Sequence, residues 1–161
     1  MDTNASLLIE DVIESHFEVP DYAPRTCEDA ALRRGIRLDQ ELKTLVLEGR
    51  DMLYAIHLPG NRRVVFAGIR PPGGKLQLLK RDKLRGYGLD SARVNPINVL
   101  KRIKEIGLVF ICESVFAQKK IYTNNGRRGD TLVLSPGKLT EIADAFGVPY
   151  RVGLFSKARL E

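Results

Sequence analysis

The chain is poor in the residues from which most hydrolytic and metal centres are built. Its 161 residues include two cysteines, Cys27 and Cys112, and two histidines, His16 and His57. Two distant cysteines without a CxxC pair exclude a disulfide scaffold and a zinc ribbon, so no metal is expected. The sequence contains no GxSxG elbow, HExxH, P-loop or GxGxxG, and no cofactor is expected. No apolar run approaches the ~18 residues that a membrane span needs. The opening MDTNAS is neither basic nor apolar, unlike a secretory leader. The expectation is a soluble cytoplasmic protein with no membrane partner.

Hydrophobic residues make up 43% and charged residues 29%, values typical of a globular chain. The length suffices for a proper core, and a single domain over 1–161 is expected. Charge is unevenly spread. Residues 1–30 hold eight acids and one base, Arg25, whereas residues 61–104 hold twelve bases opposed only by Asp82 and Asp90. Such asymmetry predicts either an electropositive face for a phosphate backbone or a solvated basic surface. Lys80, Arg81, Lys83 and Arg85 form its densest stretch.

Leu8, Ile9, Val12, Ile13 and Phe17 recur at helical spacing, predicting an amphipathic helix over 5–17. Thr26-Cys-Glu-Asp29 reads as a capping box opening a helix that Gly35 ends. Leu42–Glu48 and Leu53–Leu58 read as strands joined at Gly49-Arg50-Asp51, with further strands over Arg63–Ala67 and Leu76–Leu79. Pro71-Pro72-Gly73-Gly74 and the polar stretch 81–95 read as loops. Pro96 opens a helix to about residue 104, and Leu108–Cys112 reads as a buried strand. Lys120–Thr123 and Thr131–Leu134 flank a turn. Ser135-Pro136 caps a helix that Gly147 stops, and Val148–Leu154 reads as a last strand. Short strands with a few helices, not strictly alternating, define an α+β chain with a mixed sheet.

Three segments could carry chemistry. Alternation sets Lys43, Leu45 and Leu47 on one face of their strand; if that face is the core, a lysine stands at its margin, paired with an anion or reaching to water. The turn Asn124-Asn125-Gly126 can aim successive N–H groups at an anion or simply close a hairpin. The segment Ser91–Pro96 can present backbone amides and the Asn95 side chain to a carbonyl or carboxylate, or merely start a helix. His16 and His57 read as structural or exposed, Cys112 as a small buried residue. Cys27 lies in a helical first turn, where a thiolate could be stabilised, but it has no matched partner.

In order and spacing, five stretches resemble the YbaK / prolyl-tRNA-synthetase-associated domain family. They are Arg25-Thr-Cys-Glu-Asp-Ala-Ala31 with Gly35-Ile36, Gln40-Glu-Leu-Lys-Thr-Leu-Val46, Tyr54-Ala-Ile-His-Leu-Pro-Gly-Asn-Arg62, Val94-Asn-Pro96, and Ile121-Tyr-Thr-Asn-Asn-Gly-Arg-Arg-Gly-Asp-Thr-Leu132. The resemblance implies a mixed, mostly antiparallel, partly barrel-like sheet flanked by helices. It also implies hydrolysis of the ester joining an amino acid to the terminal ribose of tRNA, without a side-chain nucleophile. In that reading Lys43 matches the lysine that anchors the substrate end. Pro96 closes the family's glycine-x-x-x-proline loop, with Ala92 at the glycine position and Asn95 within it, and Asn124-Asn125-Gly126 matches the pocket turn.

The implied partners are the aminoacylated end of tRNA and possible association with an aminoacyl-tRNA synthetase. Lys80, Arg81, Lys83 and Arg85 are expected to meet the tRNA backbone. Ala92 narrows the approach and predicts a small aminoacyl group in tRNA(Pro)-type editing. The sequence departs from the family at Ala92 and at Pro71–Gly74, and Tyr22 is only a loose match to the family's tyrosine. These departures keep open a non-catalytic tRNA- or synthetase-binding module of the same fold.

Overall fold

A computed structural model describes residues 15–18, 26–69, 75–90, 93–126 and 130–158. Among them are ten strands, β1 (Ser15–Glu18), β2 (Leu42–Glu48), β3 (Leu53–Pro59), β4 (Arg62–Val64), β5 (Gln77–Leu78), β6 (Ile106–Cys112), β7 (Ile121–Asn124), β8 (Asp130–Leu134), β9 (Tyr150–Gly153) and β10 (Ser156–Ala158). Four α-helices accompany them, α1 (Cys27–Arg34), α2 (Arg81–Gly86), α3 (Pro96–Arg102) and α4 (Lys138–Ala145). The main sheet has the order β5-β2-β3-β6-β9; β1-β8-β7 and β10-β4 form smaller sheets, and among the described residues no closed barrel results. Five of the seven pairings are antiparallel, and only β3–β6 and β6–β9 are parallel. The expected mixed, mostly antiparallel α+β fold is what forms.

Local chemistry explains most boundaries. Thr26 Oγ1 accepts the Asp29 N–H at 3.0 Å to start α1, while the Asp29 carboxylate lies 3.8 Å from Arg33, one turn on. Gly35, at φ 70°, closes the helix through its N–H and that of Ile36. Leu42–Glu48 and Leu53–Pro59 pair in register through the Gly49 turn. The central strand β3 is buried along almost its whole length, as its near-continuous apolar sequence requires.

Several expectations need correction. Residues 15–18, expected to end a helix, form an edge strand on β8, with His16 opposite Leu132. Ile13, Phe17 and Val19 also fall on alternate positions, so the segment carries a strand period that helical spacing masked; residues 5–14 lie outside the described residues. Arg81–Gly86 is helical where a loop was expected. Its charged residues are good helix formers, and Leu84, with Tyr87 just beyond, packs against the core. The C-terminal helix starts at Lys138 rather than at Pro136, because Ser135–Gly137 first makes a turn closed by Lys138 N–H to the Ser135 carbonyl. Of Arg63–Ala67 only Arg63 and Val64 are strand, in β4, followed by a 3₁₀ turn at Phe66–Gly68. The last expected strand forms as β9, and a further strand, β10, follows beyond it and joins a different sheet. Pro71–Gly74 lies outside the described residues.

The core lies on both faces of the main sheet. On one, Tyr54 stacks on Phe110 at 5.6 Å between ring centroids, and Phe155 meets Phe110 edge-on at 5.2 Å. The crossovers from β3 to β6 and from β6 to β9 carry α3 and α4, which touch each other and bury Ile97, Val99, Leu139 and Ile142. His57 is fully buried in β3 with its Nδ1 2.9 Å from Thr44 Oγ1. Burial lowers its pKa to about 3, so it is neutral in the folded chain at neutral pH.

This burial makes the fold acid-sensitive. Between the unfolded value of about 6.5 and the folded value of about 3, only the unfolded chain takes the proton, so stability falls as pH falls. The slope approaches ~1.4 kcal/mol per pH unit, or about 2 kcal/mol between roughly pH 6.5 and 5. Urea unfolding of the wild type and His57→Gln at those two pH values should show that extra loss in the wild type alone. Equal losses would remove His57 as the source.

Candidate functional site

Lys43 follows Leu42 in β2 and alternates against Thr44. Leu42, Thr44 and Val46 are buried on one face, while Lys43 and Leu45 are half-buried on the other beside fully buried Leu58 and Ile56. Both faces of β2 therefore meet the core, with Lys43 at the margin of one. Its Nζ donates to the Arg62 carbonyl at 2.6 Å, a contact that offsets part of the cost of a semi-buried cation. The Arg62 side chain is itself held, with Nε 2.7 Å from Ser156 Oγ and Nη2 2.9 Å from the Ser156 carbonyl. Cys112 lies beside this group. Burial pushes its thiol up, against the lowering effects of Ser156, the Phe155 backbone and the charges of Arg62 and Lys43, so it stays protonated at neutral pH.

The turn after β7 follows a strand that contacts β2. A parallel bridge joins Glu41 to Tyr122, so Lys43 and Asn124, each two residues on, leave it in the same direction while β2 and β7 stay in contact. Asn124 and Asn95 then clasp each other's segments. Asn95 Nδ2 donates to the Asn124 carbonyl at 3.2 Å, and Asn124 Nδ2 donates to the Val94 carbonyl at 2.7 Å. Asn95 Oδ1 accepts from the N–H groups of Ile97 and Asn98, which caps α3, and Pro96 takes the first helical position. Asn124 Oδ1 accepts from the Gly126 N–H at 2.9 Å. The structure thus brings Asn95, Pro96, Asn124 and Gly126 together with Asn125 between them, and their polar groups are spent largely on one another. The N–H groups of Arg93 and Val94 are likewise taken, by the Asp90 carbonyl. Ala92 lies outside the described residues, as does Tyr22.

The basic segment stands elsewhere. Lys80 and Arg81 are exposed where α2 begins, and Lys83 Nζ is 2.7 Å from Glu48 at the far end of β2 from Lys43. Hydrogen bonds from Lys83 and then Gln77 hold the Glu48 carboxyl below the ordinary range. Arg85 lies 3.8 Å from Asp82. Five residues of strand place the two ends roughly 16 Å apart at ~3.3 Å per residue. A shallow recess of about 440 Å³ lined by Glu48, Gly49, Arg50, Lys75, Leu76 and Gln77 belongs to this far end.

Three features escape sequence reasoning. Asn98 sits under Gly126 and donates to the Arg93 carbonyl at 3.1 Å; its position one turn into a helix gave no sign of this. Arg62 and Ser156 meet across 94 residues. Arg34 and Glu41 form a buried ion pair, each side chain only 4% exposed, and Arg34 Nε also donates to Thr131 Oγ1 at 3.0 Å. No local sequence signal marked the last, since Glu41 stands among the polar residues Asp39, Gln40 and Lys43. Among the described residues no group of three or more His, Cys, Asp or Glu could hold a metal ion, and no helix is long and apolar enough to cross a membrane.

The profile of the aminoacyl-tRNA editing domain matches residues 23–142, and the chain belongs to that family. No curated protein matches the sequence. Among solved structures, a candidate trans-editing enzyme for prolyl tRNA synthetase superposes with a TM-score of 0.72 at 18% identity, covering 98% of this chain and 99% of its own. A hypothetical protein gives 0.72 at 22%, covering 89% and 91%. A scaffold used in computational epitope grafting gives 0.70 at 17%, covering 99% and 100%. At these identities the likeness establishes the fold.

Gly126 offers a direct test of the clasp. Its φ is +80°, and a Cβ there would press well inside van der Waals contact with Asn98 Nδ2. Gly126→Ala should destabilise by about 1–2 kcal/mol from the backbone, plus the steric term. Adding Asn98→Ala should return only the steric part. A double-mutant cycle in urea with zero coupling would contradict this packing.

Proposed function

We propose that the chain is a trans-acting aminoacyl-tRNA deacylase that clears a small amino acid from a mischarged tRNA, most simply in tRNA(Pro)-type editing. The observation that carries the reading is Lys43: a semi-buried cation held by a backbone carbonyl, on a strand in contact with the one that leads into a clasped turn, inside the segment that matches an editing domain. The ester is already activated, so orientation and charge stabilisation suffice for attack by water. Water adds to the ester carbonyl carbon, aided by the neighbouring ribose hydroxyl. Collapse of the tetrahedral intermediate breaks the bond to the ribose oxygen, which takes up a proton, releasing the amino acid and the tRNA hydroxyl. Lys43 anchors the substrate end electrostatically. Asn95, Pro96, Asn124, Asn125 and Gly126 shape the wall that receives the aminoacyl group, and Ala92 limits its size. Lys80, Arg81, Lys83 and Arg85 contact the tRNA backbone. An aminoacyl-tRNA synthetase as a further partner, and action in the cytoplasm, follow from the same reading.

A second reading has its own observation. The N–H groups of Arg93, Val94, Ile97, Asn98 and Gly126 are all engaged within the chain, which leaves none of these five for an oxyanion. That favours a non-catalytic tRNA- or synthetase-binding module of the same fold. Deacylation measured on a panel of mischarged tRNAs separates the two, because the module binds without turnover.

Lys43→Ala should keep the fold and lose roughly ten- to a hundredfold in deacylation rate, the worth of a charge-assisted contact of about 1.5–3 kcal/mol. Lys43→Arg should restore only part, since its planar fork differs in reach. A folded Lys43→Ala protein with wild-type turnover would take Lys43 out of the site. Binding to tRNA should weaken steeply with salt, and replacing Lys80, Arg81, Lys83 and Arg85 with Ala should flatten the log–log slope by about one for each phosphate no longer neutralised. An unchanged slope in that variant would place the tRNA on another surface.

A further inference from the structure

We propose that the C-terminal strand β10, beyond the family-matched segment 23–142, completes the site by positioning Lys43 through Arg62. The chain of contacts is continuous. Phe155 is seated edge-on against Phe110 in the main sheet, and its carbonyl accepts the Val65 N–H at 2.9 Å. The next residue, Ser156, takes the Arg62 guanidinium at two points, through its hydroxyl and its carbonyl. Arg62 opens β4, a strand of three residues whose ladder partner is β10, with Ala158 opposite Arg62 and Ser156 opposite Val64. The Arg62 carbonyl is the acceptor that holds Lys43 Nζ. A lysine has a long flexible stem whose ordering costs entropy, so an acceptor held at a defined place localises its ammonium group. Without β10, β4 would lose its ladder, the guanidinium its fork, and the Arg62 carbonyl its defined position. Arg62 and Ser156 are positioning residues here, acting through Lys43 rather than on substrate.

The catalytic consequence rests on the deacylase reading above, so the test has one arm that is independent of it. Reductive methylation of lysines in the folded full chain, followed by peptide mass spectrometry, gives the reactivity of Lys43 relative to exposed Lys119. Arg62→Met and Ser156→Ala should raise it about three- to tenfold, the effect of losing a hydrogen bond, and Ser156→Thr, which keeps the hydroxyl, should restore the wild-type value. The second arm is deacylation kinetics on the same samples. In Arg62→Met and Ser156→Ala kcat should fall with KM little changed, and Ser156→Thr should recover. Unchanged Lys43 reactivity in folded Ser156→Ala and Arg62→Met would overturn the proposal, and so would a rise that Ser156→Thr shares. If Arg62→Met does not fold, the pair Ser156→Ala and Ser156→Thr decides alone. Raised reactivity with wild-type turnover would uphold the brace and overturn the use of Lys43 in deacylation.

Discussion

The buried pair between Arg34 and Glu41 is the contact on which the rest of the site depends. Arg34 comes from the last turn of α1, Glu41 immediately precedes β2, and Thr131 of β8 takes a second bond from the same guanidinium. The Glu41 backbone is equally committed: its carbonyl accepts the Gly60 N–H at 2.7 Å, its N–H donates to the Leu38 carbonyl, and it bridges Tyr122 of β7. Gly60 packs so closely that a side chain there would press on Cys27, Glu41 and the Leu38 carbonyl at 3.0 Å. Helix, main sheet and the small β1-β8-β7 sheet thus converge on one residue. Burying two charges gains little net stability, but losing one partner strands the other at a cost of about 3–5 kcal/mol. Such a contact specifies register more than it adds stability, and the register it specifies is that of Lys43, two residues along the same strand.

Two different devices fix the segments that approach β2. On one side amides hold amides: Asn95 and Asn124 each donate to the other's backbone segment, and each also accepts a nearby N–H. Each of the two amides thus both donates and accepts, which rigidifies the clasp without burying a charge. On the other side a guanidinium fork and an aromatic seat bring in the C-terminal strand. The basic face lies at the opposite end of β2, where Lys83 is partly spent on Glu48. The candidate site and the exposed bases of α2 thus lie at opposite ends of one strand.

Much of this was legible in the residues. Thr26, Gly35, Gly49, Pro96, Gly126 and Gly147 marked turns and caps that form where expected, because each acts within four residues of itself. Leu42–Glu48 and Leu53–Leu58 were legible because hydrophobic alternation and near-continuous apolarity survive in sheets covered on both faces. The failures share a cause. The Ser15–Glu18 strand exists because β8 offers an edge, and α2 exists because Leu84 and Tyr87 find the core. In both, packing overrode a local pattern that was weak or ambiguous. At the candidate site, Lys43, Asn95, Pro96, Asn124 and Gly126 were recognisable as residue types in sequence order and Arg62 as the end of a matched stretch, whereas Ser156 and Asn98 carried no local signature.

By itself, then, the sequence determined the caps, the tight turns, the central strands and membership of the editing family, since these depend on neighbours along the chain or on ordered motifs. Tertiary structure alone decided that Arg34 meets Thr131 across 97 residues and that Arg62 meets Ser156 across 94. It also decided that two asparagines, 29 residues apart, spend their amides on each other's segments. Local preference is set by sterics and hydrogen bonds within about one turn of backbone. A polar contact between distant segments has no such signature, because its partner is chosen only when the apolar faces have packed and brought the two together.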